Sequence, residues 1–195
     1  MTSANGLPTI QTSTGKCINY MVPDHRQICI EDIAQGLSNI CRFTGQCREF
    51  YSVAQHSAQV EFWLATWPEI KGLPASRRLN MRRVALLHDA TEAYMGDMVR
   101  PLKRLCPEYA FIEDKLFGKI LKAFGLKRPE PWLMDLLKKA DSQVLDVEGF
   151  LLMPPCWNDG REPIQALKTM MHGMVPLPPK AAKGLFKLRF EELFG

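Results

Sequence analysis

From Glu31 onward, apolar residues recur every three or four positions, the spacing of helices that bury one face. The segment EDIAQGLSNI (31–40) opens on two acids, which suit the positive end of a helix dipole. A second helix is predicted from Arg48 to Trp67, closed by Pro68, with Val53, Val60 and Leu64 on one face. After the linker KGLP (71–74), a third runs from Ser76, a residue type suited to an N-cap, to Tyr94. Two more cover Tyr109–Phe124, stopped by Gly125, and Glu130–Leu152, stopped by a double proline. The stretch 156–179 reads as loop with one short helix, and KAAKGLFKLRFEELFG as a last amphipathic helix. Residues 1–30, rich in Thr, Ser, Asn and Pro, read as an irregular arm with room for a short hairpin. No repeat and no parallel-strand pattern interrupts this. The predicted architecture is all-α: a single-domain helical bundle over 31–195, preceded by the arm.

Composition changes this picture little. The 195 residues are 46% apolar and 24% charged, enough for a core without staples. A net charge of +4 is too mild to imply nucleic-acid binding, yet it suits a small anionic substrate. The six cysteines form no CxxC pair, which argues against a zinc ribbon or a thioredoxin-type motif. The opening MTSANGLPTI lacks the apolar core of a secretory signal, and no apolar run approaches a membrane span. Reduced thiols in a cytoplasmic protein are the expectation.

The chemistry concentrates in three segments: QHS (55–57), LLHDATEAYMGD (86–97) and KKADSQVLD (138–146). Each sets ionisable side chains into an apolar run. Buried carboxylates are costly unless paired, and a divalent cation is one such partner. His56, His88, Asp89 and Asp141 would give a set of two nitrogens and two oxygens, suited to one divalent transition metal (Mn, Co, Zn, Ni or Fe), with or without Mg. A single buried His is usually structural, and a His-Asp dipeptide is common by chance. The spacing of all four, with Glu92 and Asp97 close behind, favours a metal site over that structural alternative. Glu92 is predicted one helical turn after His88, where it can act on a water. Asp97, after Gly96, is either a helix-stop residue or a second acid over the site. Arg100, Lys103 and Arg104 share a face if their turn is helical, a fork suited to a phosphate chain or merely a solvated basic face. The runs at 77–78, 82–83, 127–128 and 138–139 read as solvated. From composition alone, Arg42 and Phe43 would be a surface Arg beside a core Phe, and His25 and His172 have no role.

These segments resemble the HD-domain superfamily, named for its His-Asp doublet. The similarity spans about Ile28 to Phe150. It is greatest to bacterial 5′-deoxynucleotidases and to phage HD hydrolases, including dATP triphosphohydrolases; CRFTGQCREFYSVAQHS and GDMVRPLKRLCPEY look especially phage-like. The resemblance implies a helical bundle of the HD-domain type. It implies metal ligation by His56, His88, Asp89 and Asp141, and a catalytic-acid or water-orienting role for Glu92. It implies nucleotide contacts from Arg42 and Phe43 and phosphate contacts from Arg100 and Lys103. Phe43 stands where some members carry a Trp packed on the deoxyribose. The implied function is a metal-dependent deoxynucleoside triphosphate triphosphohydrolase of dATP type, releasing deoxynucleoside and the phosphate chain. The alternatives are a 5′-deoxynucleotidase on monophosphates and a nucleotide-sensing protein without catalysis. A small deoxynucleotide is the expected partner, in a homo-oligomer, with neither stable nucleic-acid binding nor membrane insertion.

Overall fold

The structure, a computed structural model, describes residues 6, 8–155, 162–171 and 174–195. Strands β1 (Thr9–Gln11) and β2 (Cys17–Asn19) pair antiparallel, with Ile10 opposite Ile18. Ten helices follow among the described residues: α1 (Ile30–Asn39), α2 (Val53–Ala65), α3 (Pro68–Lys71), α4 (Ala75–Leu86), α5 (Glu92–Met95), α6 (Arg100–Lys103), α7 (Pro107–Ala123), α8 (Pro131–Leu152), α9 (Gln165–Met170) and α10 (Pro179–Phe194). The fold is predominantly helical, as the apolar spacing requires. No described helix is long and apolar enough to cross a membrane. Residues 156–161 and 172–173, and with them Cys156 and His172, lie outside the described residues.

Helix α2 runs through the middle and packs on α1, α4, α8 and α10. Its Val53 and Ala54 enter a core with Ile18, Ile33, Leu37 and Phe186; its Val60 and Leu64 enter another with Met81, Leu133 and Val144. An α-helix buried on nearly every side loses its polar face. Gln55, His56, Ser57 and Glu61 are consequently buried too, and each needs a partner. Glu61 finds two, Arg82 Nε at 2.7 Å and Arg189 Nε at 2.6 Å, which tie α4 and α10 to α2. At Gly36 a Cβ would lie 2.7 Å from the carbonyl oxygen of Ala93. Only glycine lets α1 approach α5 this closely.

The structure corrects the predicted elements at four places. The helix expected from Arg48 starts at Val53, capped by the Ser52 hydroxyl on the Gln55 amide at 3.2 Å. Before it, Arg42 N donates to Tyr51 O at 2.8 Å, and this strand-like pairing displaces the helix. Pro68 opens the short helix α3 instead of preceding a plain linker, as proline at a first helical position can. Pro74 occupies the cap assigned to Ser76. The helix expected through Tyr94 stops at Leu86: Leu87 leaves helical geometry (φ −99°, ψ 11°), and a tight turn carries His88 to Thr91. The predicted 156–179 connector does contain a short helix, α9.

Candidate metal centre and active site

Three elements bring the ionisable residues together. His56 comes from the middle of α2 and is fully buried. Its Nδ1 faces Glu148 Oε1 at 2.8 Å, so that nitrogen donates and Nε2 is left to face Asp141 Oδ1 at 3.2 Å and Asp89 Oδ2 at 3.5 Å. His88 lies in the turn after α4. Its Nδ1 donates to the Ala85 carbonyl at 2.9 Å, and its Nε2 faces Asp89 Oδ2 at 3.1 Å. Both Nε2 atoms are buried, and beyond these carboxylate contacts neither has a hydrogen-bond partner among the described residues. Ligand atoms of His56, His88 and Asp141 lie within 4.8 Å of one another, and Asp89 adjoins them. Donors around one ion with bonds of about 2.1 Å stand about 3–4 Å apart, so the set fits a divalent metal after small adjustments. The Nδ1 bonds to Glu148 and Ala85 are the outer contacts that orient metal-ligating imidazoles.

The electrostatics match that arrangement. Burial and Arg42 oppose the imidazolium form of His56, but Glu148 and Asp141 outweigh them and raise it to about 9. Burial opposes the Asp89 charge, yet His88 lowers this carboxyl to about 2. Asp141 is likewise held far below the usual carboxylate range: burial works against its charge, and His56, His88 and Arg100 prevail. Glu92 behaves oppositely. Burial and the charges of Asp89 and Asp97 push it well above the ordinary value. Asp97 is raised too, by burial and by Asp89, with Arg42 partly offsetting them.

A cavity of about 310 Å³ opens beside the cluster, lined among others by Arg42, Phe43, Glu92, Asp97, Arg100 and Lys103. All the predicted substrate and catalytic residues therefore surround one space. Glu92 reaches it through a tight turn, its amide bonded to the Asp89 carbonyl at 2.9 Å, and not from one continuous helical face shared with His88. Asp97, directed by Gly96 at φ 81°, stands on the cavity wall. Phe43 and Thr44 hold φ of 56° and 52°, left-handed values that cost energy for residues with side chains. That strain falls in the loop that carries Arg42 to the cavity. Arg42 is buried, 3.3 Å from Glu148 Oε2 and 3.9 Å from Asp89 Oδ2, and not the surface arginine that composition suggests.

The basic fork is partly engaged. Arg100 pairs with Asp141 and donates to Ser142 Oγ at 3.0 Å; Lys103 Nζ donates to Glu113 Oε1 at 2.7 Å. Arg104, one residue past the end of α6, is not part of the cavity wall. A second cavity of about 430 Å³ reaches His88, Asp89 and Asp141 from another side, past Lys103, Arg128 and Lys138. These last two cations, read as solvated, thus rim an opening onto the cluster. The residue that sequence reasoning missed is Glu148. It lies seven residues after Asp141 on α8, two helical turns along the same face, and that spacing within the apolar run VLDVEGFLL was the available signal. The cysteines described are unpaired by disulfides, and Cys41 Sγ lies 3.5 Å from Cys47 Sγ across the loop that holds Arg42.

No family model matches the chain. It is 38% identical over 189 residues to the uncharacterized protein YfdR of Escherichia coli (strain K12), an alignment that covers 94% of each chain. It is 36% identical over 134 residues to an uncharacterized protein of Rhodobacter capsulatus, covering 66% of this chain and 65% of that one.

Proposed function

The chain belongs to the family of the Escherichia coli protein YfdR, and we propose that it is a metal-dependent phosphohydrolase of the HD-domain class acting on deoxynucleotides. One observation carries the reading most: two buried imidazole Nε2 atoms converge on the carboxylates of Asp141 and Asp89, 3.1–3.5 Å away, at the wall of a cavity that also holds Glu92 and Arg42. Imidazoles and carboxylates gathered in a buried cluster at a cavity wall are a donor set that a divalent cation can complete.

His56, His88, Asp89 and Asp141 would hold the ion. When bound, it supplies Lewis acidity toward a phosphoryl oxygen and a lowered pKa for water at the site. Glu92, whose carboxyl is held high by burial and by its acidic neighbours, gives its proton to the leaving oxygen and recovers one from the attacking water. Asp97 stands beside it as the second acid. Arg42, fixed between Glu148 and Asp89, faces the charge that builds on the equatorial phosphoryl oxygens. Phe43 offers a ring next to Arg42, its centroid 5.8 Å from the guanidinium carbon, for a sugar or base.

The deoxynucleotide class rests on the resemblance of the three segments to HD hydrolases. A triphosphate is preferred because two cavities open onto the cluster, leaving room for groups on both sides of the reacting phosphorus. Attack at the α-phosphorus would release deoxynucleoside and triphosphate. A monophosphatase is the second reading, favoured by one observation: Arg100 and Lys103 already pair with Asp141 and Glu113. The test is a panel of deoxynucleoside mono-, di- and triphosphates incubated with Mn²⁺, Co²⁺ or chelator, with products resolved by chromatography. Metal-dependent release of nucleoside from a triphosphate is expected. Metal binding without turnover of any nucleotide would move the reading to a sensor.

A further inference from the structure

The two oxygens of Glu148 face different halves of the site. Oε1 lies 2.8 Å from Nδ1 of His56, and Oε2 lies 3.3 Å from Nε of Arg42. Glu148 has no exposed surface. A carboxylate so buried keeps its charge only through partners, and breaking one side leaves an uncompensated charge. Arg42 is constrained in turn: Glu148 flanks it on one side and Asp89, 3.9 Å away, on the other. Its guanidinium cannot swing toward solvent without abandoning one of them.

We infer that Glu148 is a positioning residue that couples the metal half of the site to the anion half: one carboxylate aims the His56 ring and anchors Arg42 at the cavity wall. This rests on the metal reading of His56. Under it, His56 presents Nε2 to the ion only while Nδ1 donates to Glu148, and the strength of that bond depends on how much of the carboxylate's charge Arg42 claims. Metal affinity should therefore respond to Arg42, which is not a ligand, and it should do so through Glu148.

The experiment titrates Mn²⁺ into the purified full chain by calorimetry, in wild type, Glu148→Gln, Arg42→Ala and the double variant. Glu148→Gln keeps size and an acceptor oxygen but removes the charge. It is expected to weaken Mn²⁺ binding ~tenfold or more, the usual effect of removing the outer partner of a metal-ligating imidazole. Arg42→Ala is expected to change Mn²⁺ affinity by factors that differ at least ~fivefold between the wild-type and Glu148→Gln backgrounds, since contacting residues in one network are not additive. Glu61→Gln is the control for mere loosening. Glu61 is equally buried and ion-paired, but its partners are Arg82 and Arg189, outside the site. If Glu148→Gln leaves Mn²⁺ affinity unchanged, if Glu61→Gln matches its effect, or if the Arg42 factors are equal, the inference is overturned. Should Glu148→Gln fail to fold, Glu148→Asp, which withdraws the charge by one methylene, is held to the same comparison. Absence of Mn²⁺ binding by the wild type would overturn the metal reading itself, and this inference with it.

Discussion

Asp32 on α1 and Glu92 on α5 are buried to the same degree, 4% and 5% exposed, yet they live opposite electrostatic lives. Asp32 receives Ser13 Oγ at 2.7 Å, the Thr14 amide at 2.9 Å, Thr14 Oγ1 at 2.7 Å and Cys29 Sγ at 3.1 Å. Burial opposes its charge, but these donors prevail and hold the carboxyl far below the usual range. Glu92 has a buried Oε2 with no partner and two acidic neighbours, and its carboxyl is pushed up. A carboxylate given every donor by its own chain joins the hairpin turn to α1 and has nothing left to offer. One starved of donors, at a cavity wall, is kept ready for a proton or a water from outside.

If the contrast is between saturated structure and unsaturated function, the largest loss should come from the ligand set. Asp141→Ala should lose Mn²⁺ affinity and hydrolysis together, by more than ~100-fold, because a ligand matters at least as much as its outer partners. Calorimetry and product release on one preparation check this; retained metal with lost turnover would detach Asp141 from the ion. Glu92→Gln should separate the two properties: metal retained, turnover slowed ~100-fold. It should also make the metal-free fold more stable at neutral pH. A carboxyl raised in the folded state costs stability as pH climbs above its ordinary value, and glutamine removes that cost. Near-normal turnover in this variant would return Glu92 to a structural role.

Smaller effects probe the cations and the protons. Lys103→Ala should raise KM for a triphosphate about tenfold while leaving a monophosphate nearly unaffected, at fixed ionic strength. The lower end of the usual charge-assisted range applies because Glu113 competes for the ammonium. Equal effects on both substrates would advance the monophosphatase reading. His56, raised to about 9 in the metal-free protein, must shed a proton to bind an ion. Mn²⁺ affinity should then climb ~tenfold per pH unit from neutrality toward pH 9, measured by calorimetry in buffers of matched ionic strength. Stability of the metal-free protein should run the other way. The His56 contribution is complete below the ordinary imidazole value, about 6.5, and is lost as pH rises through about 9.

The sequence made the site more legible than the elements that carry it. His56, His88, Asp89 and Asp141 stand out because ionisable residues in apolar helical runs are costly, whatever the exact backbone path. The break at Leu87 was hidden because LLHDATEAY keeps an unbroken helical period, and nothing local distinguishes a tight turn from another helical turn there. Arg42 looked like a surface residue since its burial depends on Glu148, more than a hundred positions away. Glu148 itself escaped because a lone Glu on a helix is ordinarily solvated, and only the packing of α8 on α2 turns it inward. Tertiary partners decide the role of a charged residue; periodicity decides only its face.

The smallest effect on activity, and the cleanest test of the contrast, belongs to Asp32. Asp32→Asn keeps the shape but loses the charge and turns one acceptor oxygen into a donor, which faces either the Ser13 hydroxyl and the Thr14 amide or the Thr14 hydroxyl and the Cys29 thiol. Hydrogen bonds to a charged group contribute more than neutral ones, so about 1–3 kcal/mol of stability should go. The loss should centre on the hairpin, whose turn reaches α1 through this carboxylate, and amide exchange over residues 9–19 should report it. The pH dependence has a definite sign. A carboxyl whose folded value is depressed contributes stability that is fully present above its ordinary value, about 3.9, and fades as pH falls through the lower folded value. Wild type and variant should therefore differ most near neutrality and converge in acid. Turnover at neutral pH should change by less than about twofold, because neither Asp32 nor its four donors line the cavity beside the metal cluster. A variant that keeps its stability but loses activity would erase the distinction between the two carboxylates, since Asp32 would then serve the site despite having every partner supplied at home.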